Sequence, residues 1–420
     1  MIKYSAMGIK KIAVLAVLIV GVLAAAGRPA AGQLVMGQYE DEAPLRTWNT
    51  FAFSAGASLG RGETSFSLAA DCSAALANPA LLLTLPKVSV TLNGSYSRAS
   101  LFKYSVVNTG VVRTAGNPAL GLYALDFGGA SFRFGRWAAA VLISLTEIYD
   151  RPQCKAEESY RGVPYYSLDF SQSGSLKTIH LSLARSFGER WAFGLGLNYL
   201  TGDLAKDLTE DYPTDGITIA DHKEYDFKGI SLNGGLCVRL SERWTAGLVL
   251  RTPFHKSAKG ESLITYSVPR AGTDISISAS SEDTFRLPLI LGAGVSFLAA
   301  SRFRISADVA WHNWARYRAE SFGEPQERNF RDVFKLGAGA EYSASFSFFK
   351  KIAVIPLRLG VVVDPQPMKN PKSVYYSLTL GTGLHRDPVY LDIGFITGKE
   401  TGSGNSLSGR RLAVSLAYQY

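Results

Sequence analysis

The sequence predicts an all-β protein: a 14-stranded antiparallel transmembrane β-barrel with an N-terminal hatch, or plug, of short helices and loops. Three observations lead there. Apolar and polar residues alternate with period two from Pro86 to the C-terminus, as in sheets with one apolar face. The connections between the alternating runs are short and long in strict turn. The one long apolar run, Ile12 to Ala26, stands at the start of the chain.

That run follows Lys10 and Lys11 and leads into the small residues Ala30-Ala31-Gly32. It is shorter than the roughly 20 residues of a helical membrane span and has the basic, hydrophobic and small-residue regions of a secretory signal. Residues 1–32 are therefore expected to be a signal peptide cut near Gly32, with Ala24-Ala25-Ala26 as the other candidate. Residues 33–85 are expected to form the hatch and residues 86–420 the barrel. From Gln33 to Thr64 the chain is polar, Gly-rich and irregular. Phe66 to Leu83 (FSLAADCSAALANPALLL) is small and apolar, and Pro79 would break a helix there. So short a leading segment cannot bury a core of its own and needs the wall around it.

Composition agrees, with 41 Gly, 20 Tyr and 22 Phe against 3 Cys and 4 Met, rich in strand and turn formers. Removing residues 1–32 takes away Lys3, Lys10, Lys11 and Arg28 and no acid, lowering the formal charge from +9 to +5. The remaining Lys and Arg are spread through the strands rather than gathered on one face, which speaks against a nucleic-acid partner. Cys72, Cys154 and Cys237 have no metal-ligand spacing.

Fourteen strands follow from the alternation: 86–98, 118–134, 136–149, 175–187, 190–203, 227–240, 243–256, 284–298, 302–317, 331–346, 352–364, 373–386, 388–399 and 408–420. Turns after even strands are tight, such as Gly135, Gly188-Glu189 and Asp387, whereas Asp203–Asp226 and His255–Asp283 follow odd ones. A soluble sandwich does not require that asymmetry; an outer membrane barrel has short periplasmic turns and longer outer loops. Within the second long loop, Leu263–Val268 and Ile275–Ala279 read as a small hairpin that extends the wall outward. Arg136-Trp137, Arg190-Trp191 and Arg243-Trp244 each open an upward strand after a tight turn. Trp137, Trp191 and Trp244 are thus expected to form a periplasmic aromatic girdle among the outer membrane lipids. The last strand ends on Tyr420, an aromatic terminus of the kind by which bacterial outer membrane barrels engage their assembly machinery.

No catalytic, cofactor or metal constellation is read from the sequence. His180, His222, His255, His312 and His385 are scattered, and neither Gly-x-Ser-x-Gly nor His-Glu-x-x-His occurs. An outer membrane enzyme would need His180 or His312 beside a lumen Ser or Asp. The acids of Asp203–Asp226 show no EF-hand spacing and read as a solvated loop.

Ala69, Ala70, Asp71, Ser73 and Asn78-Pro79-Ala80 resemble the hatch of the FadL-type long-chain fatty acid and hydrophobic compound transporters (OMPP1/FadL/TodX). Arg251-Thr252-Pro253, Leu287-Pro288, Asp308 to Tyr317 (DVAWHNWARY), Lys335 to Tyr342 and Asp364 to Pro367 extend the resemblance in order along the barrel. The resemblance implies a bacterial outer membrane channel for passive uptake of hydrophobic small molecules, long-chain fatty acids or hydrocarbons, with sideways release at an inward kink of strand three. It places Asn78, Pro79, Ala80, Leu81 and Leu82 on the substrate path, with Asn78-Pro79-Ala80 facing strand three. Two features depart from it: Trp137–Tyr149 has no Gly or Pro to force a kink, and Asp203–Asp226 is acidic where a greasy capture groove is expected. The alternative is a non-transporting barrel of the same family that serves as a secretion or surface-assembly partner.

Overall fold

A computed structural model describes residues 45–46, 54–100, 111–115, 119–268, 272–321, 323–326, 329–348, 351–370, 372–402 and 407–420. The signal peptide expected at 1–32 lies outside the described residues. The wall is a closed barrel of 14 antiparallel strands. Strand one is Val88–Ser100 and strand two Ala119–Phe134. Strand three is Trp137–Ile148, continued by Arg151–Tyr160. Strands four, five and six are Val163–Phe187, Trp191–Tyr212 and Ile217–Arg239. Strand seven is Trp244–Arg251 with Phe254–Val268, and strand eight Thr273–Leu287 with Ile290–Ala300. Strands nine to fourteen are Phe303–His312, Val333–Phe348, Lys351–Pro365, Val374–Arg386, Val389–Thr401 and Ser408–Gln419. Strand one closes the cylinder on strand fourteen, from Ser89 opposite Gln419 to Ala99 opposite Gly409.

The tight turns lie where the sequence places them; strands four to eight run further outward. Asp203–Asp226 is not a solvated loop but the upper part of one hairpin, paired from Trp191 opposite Val238 to Tyr212 opposite Ile217. Its acids hide a period-two pattern, Leu204, Leu208 and Tyr212 on one face and Asp203, Asp207 and Asp211 on the other. The pairing of Leu263 with Ser278 through Val268 with Thr273 gives the second outer hairpin. At 22 residues strand five far exceeds the roughly 9 to 11 needed to cross, so this part of the wall stands clear of the membrane. Strand nine stops at His312 rather than at 317. There Asp332 accepts from Asn313 Nδ2 at 3.0 Å and from the Ala315 amide at 2.9 Å, turning Trp314–Arg316 into a short 3-10 helix.

Outward residues of the crossing part are apolar and exposed, Leu195 at 72% and Ile143 at 57%, which suits lipid. Inside lies the hatch: helices Gly56–Gly60 and Ala74–Ala77 and the 3-10 helix Pro79–Thr84. Asn78 caps the last of these, its Oδ1 accepting from the Ala80 amide at 3.1 Å, and Pro79 sits at the first helical position where no N–H is needed.

Candidate functional site

The lumen is divided into two sides. On strands nine to fourteen the hatch is fastened by buried polar contacts. Arg61 Nη1 donates to Glu341 Oε2 at 3.0 Å, and the same oxygen accepts from Arg358 Nε at 2.6 Å. Arg358 Nη1 continues to Asp392 Oδ1 at 2.5 Å. Glu63 pairs with Lys335 at 2.8 Å. Burial opposes ionisation of Glu63, but the Lys335 ammonium outweighs it and holds the carboxyl below its ordinary range. Asp308 accepts from the amides of Ser65 and Phe66 at 2.6 and 2.9 Å, and Ser415 Oγ accepts from the Gly56 amide at 2.7 Å. Cys72 is an inert core thiol, pushed up to about 12 by burial.

Strands three to eight present an apolar column beside buried polar groups that include Thr178, His180, Asn198 and Arg251. One continuous buried cluster begins at Leu82 and Leu85 of the hatch with Ala138 and Ala140 of strand three. It rises through Leu142, Leu176, Leu200 and Leu204 to Phe227, Phe254 and Phe285, and ends on Trp314, Tyr317 and Phe330 at the outer mouth. Above it, the inward face of the outer hairpins carries aromatic and charged side chains together: Tyr166 meets Tyr212 at 5.3 Å between ring centroids and Tyr225 stacks on Phe227 at 5.9 Å, while Lys206, Glu210, Asp221 and Lys223 share that face. Glu224 and Asp226, on the opposite face, are exposed. An apolar base of Leu204, Tyr225 and Phe227 thus exists under a stretch whose composition is acidic.

The structure places the expected residues as follows. Asn78, Pro79 and Ala80 pack against strands five and six. Asn78 Nδ2 donates to the carbonyls of Phe66 at 2.7 Å and Leu236 at 3.1 Å. Gly194 and Gly235 leave the room this requires, since a Cβ on either would collide with Pro79-Ala80 or Asn78. Ala80 and Leu81 pack with Ala74 and Cys237, while Leu82 joins the apolar column. Trp137, Trp191 and Trp244 are exposed outward at 36%, 48% and 42%, each first in its strand after a tight turn. Arg185 lies over the Trp137 ring at 4.8 Å, and Trp244 stacks on Phe297 at 4.3 Å.

Strand three departs from regularity without Gly or Pro. Its register against strand four slips between Leu145 and Glu147. Among the described residues its ladder with strand two runs from Trp137 opposite Phe134 to Ser144 opposite Phe127 and stops, although strand two continues to Ala119 on strand one; pairing on this edge resumes at Ala156–Tyr160, opposite Val111–Ala115. In the vacated edge, Leu45 and Arg46 pair with Ile148 and Glu147.

No nucleophile constellation forms among the described residues. His180 Nδ1 shares a hydrogen bond with Asn198 Oδ1 at 2.7 Å rather than with a serine. His385 Nε2 meets Asp392 at 2.9 Å, but that carboxylate is bound to Arg358. Among the described residues no group of three or more His, Cys, Asp or Glu is placed to hold a metal. The Lys256–Glu147 pair, 3.2 Å apart within the apolar column, was not legible in the sequence because its members are remote in the chain.

A family model named BamG matches residues 74–406, most of both hatch and wall. The chain belongs to the BamG family. No curated protein matches the chain. Among solved structures this BamG-family barrel is similar to the CymD monoaromatic hydrocarbon channel, with a TM-score of 0.63 and 15% identity over 87% of this chain and 97% of that one. It is similar to the toluene transporter TbuX of Ralstonia pickettii, with a TM-score of 0.60 and 14% identity over 89% and 100%. A FadL homologue of Pseudomonas aeruginosa gives 0.62 and 13% over 93% and 100%. These likenesses establish a FadL-type fold, and the BamG-family barrel is a protein of the bacterial outer membrane.

Proposed function

We propose that this barrel is a passive channel for hydrophobic compounds, long-chain fatty acids or hydrocarbons, which enter over the outer hairpins and leave sideways into the membrane. The observation that carries this reading is the single buried cluster that runs from Leu204, Tyr225 and Phe227 at the base of the outer hairpins down to Leu82 and Leu85. An acyl chain forced into water would lose about 0.8 kcal/mol per CH₂, so a route that stays apolar and ends in lipid is physically favoured. The interrupted ladder between strands two and three, beside the register slip at Leu145–Glu147, supports exit at that edge. The similar structures named as a hydrocarbon channel and a toluene transporter support the substrate class. In this reading Leu81 and Leu82 border the foot of the path, and Asn78-Pro79-Ala80 anchor the hatch beside it. Trp137, Trp191 and Trp244 form the periplasmic girdle, and the C-terminal strand engages the assembly machinery.

Uptake of labelled dodecane and oleate by cells that depend on this protein tests the reading. Leu208→Asp, on the inner face of the outer hairpin, should lower uptake several-fold while the folded barrel stays at its normal level. The firm fastening of the hatch by Arg61, Glu63 and Asp308 favours one competitor, a non-transporting barrel that acts as a secretion or surface-assembly partner. Folded barrel without any uptake would select that alternative.

A further inference from the structure

Within the apolar column one charged pair is closed to water. Lys256 and Glu147 are each 3% exposed at the side chain, and Nζ lies 3.2 Å from Glu147 Oε2. Lys256 Nζ also donates to the Tyr149 hydroxyl at 3.2 Å, and that hydroxyl donates to the same Glu147 oxygen at 2.6 Å. An ammonium has three donors. Two are taken here, and the faces of Phe227 at 4.3 Å and Phe285 at 4.8 Å cover the rest of the charge. Lys256 sits between Phe254 and Ala258 on the inner face of strand seven, at the level where the column passes from the outer hairpins into the membrane.

We infer that Lys256 and Glu147 form a charge-neutral selectivity point, so that this barrel takes uncharged hydrophobic compounds and turns away carboxylates of the fatty-acid type. The inference rests on the channel reading and narrows its substrate class. A carboxylate reaching this level finds the ammonium already satisfied. To bind, it must displace Glu147 or share Lys256 with it, placing two anions on one cation in a dry site. An uncharged chain packs on the faces of Phe227 and Phe285 and gives up no hydration of a charge. The pair itself costs desolvation, and it is tolerated because each member satisfies the other. Substrate selection is a role that such a pair fills and a hydrocarbon side chain does not.

The test compares two ligands of equal chain length, dodecanol and dodecanoate at pH 8, in equilibrium binding to the full-length mature protein in lipid nanodiscs. The wild type should bind dodecanol, with dodecanoate at least about ten-fold weaker. Glu147→Gln keeps the shape, exposes the Lys256 charge, and should raise the ratio of dodecanoate to dodecanol affinity about ten-fold or more. Should that variant fail to give a heat-modifiable barrel, the double variant Glu147→Gln/Lys256→Gln removes both charges, and its ratio should remain low. Wild type that binds both ligands alike, a folded Glu147→Gln with an unchanged ratio, or a double variant that gains dodecanoate overturns the selectivity point alone. Folded wild type that binds neither ligand overturns the channel reading, and this inference with it.

Discussion

No Cβ fits between Gly235 and Asn78: one built on the glycine would collide with the asparagine Oδ1, while Asn78 Nδ2 holds the adjacent Leu236 carbonyl at 3.1 Å. The hatch is hooked onto strand six at this point. Gly235→Val should push the hook off, at about 2 kcal/mol of hatch docking. Limited proteolysis should then cut within residues 54–85, while the barrel still shifts on heating in gels. Unchanged protection would show that the hook is dispensable.

Glu341 serves two arginines, Arg61 of the hatch at 3.0 Å and Arg358 of the wall at 2.6 Å. Glu341→Gln removes the shared anion and leaves two buried cations side by side, a change expected to cost about 3 kcal/mol. Hydrogen exchange of the Gly56–Gly60 helix should speed up. Adding Arg61→Met should restore part of the protection; if it restores none, the anion is not what fastens this end of the hatch.

Depth in the membrane should decide the cost of a charge on the outer face. Leu195 stands four residues into the strand and is 72% exposed, whereas Trp191 opens the strand after a tight turn and is 48% exposed. Leu195→Arg should destabilise by about 2–4 kcal/mol and Trp191→Arg by about 1 kcal/mol or less from the charge itself. Urea titrations in lipid vesicles give both numbers. Equal costs would argue against a girdle at Trp191.

His222 on the outer hairpin lies between Asp207 at 2.6 Å and Glu224 at 3.3 Å. Its hydrogen bond to Asp207 raises its pKa above the ordinary 6.5, against a smaller effect of burial. A raised folded-state pKa means that the stabilisation is fully present below the unfolded value and is lost as pH rises through the folded one. The tip of the hairpin should therefore exchange amide hydrogens faster as pH rises from about 6 to about 8, beyond the intrinsic chemical rate. His222→Asn should abolish that extra dependence, which a proton titration of the ring would locate directly.

The strands were legible because lipid and hatch impose one rule on every residue of the wall, alternation, and because tight turns on one side need residues such as Gly135 and Gly188 at positive φ. Composition hid the outer hairpins. Asp207, Asp211 and Glu224 weaken β propensity locally, yet cross-strand pairing and the apolar face of Leu204 and Phe227 override it. The hatch was recognisable in Asn78-Pro79-Ala80, but its docking partners were not. Asp308 and Ser415 become partners of Phe66 and Gly56 only once the cylinder has closed.

That closure has a kinetic consequence. The Ser415 hydroxyl accepts from the Gly56 amide and donates to Asn93 Oδ1 at 2.6 Å, so plug, first strand and last strand meet at one side chain. Gln419 adds a second tie, donating to the Ala70 carbonyl at 2.7 Å. Until the final dozen residues arrive, strand one has an open edge and the plug lacks two of its fastenings. Pairings this remote along the chain form late and slowly, so a partly exported chain is exposed to mispairing for most of its synthesis. The plug, which buries no core alone, is therefore seated by the closing seam itself rather than ahead of it.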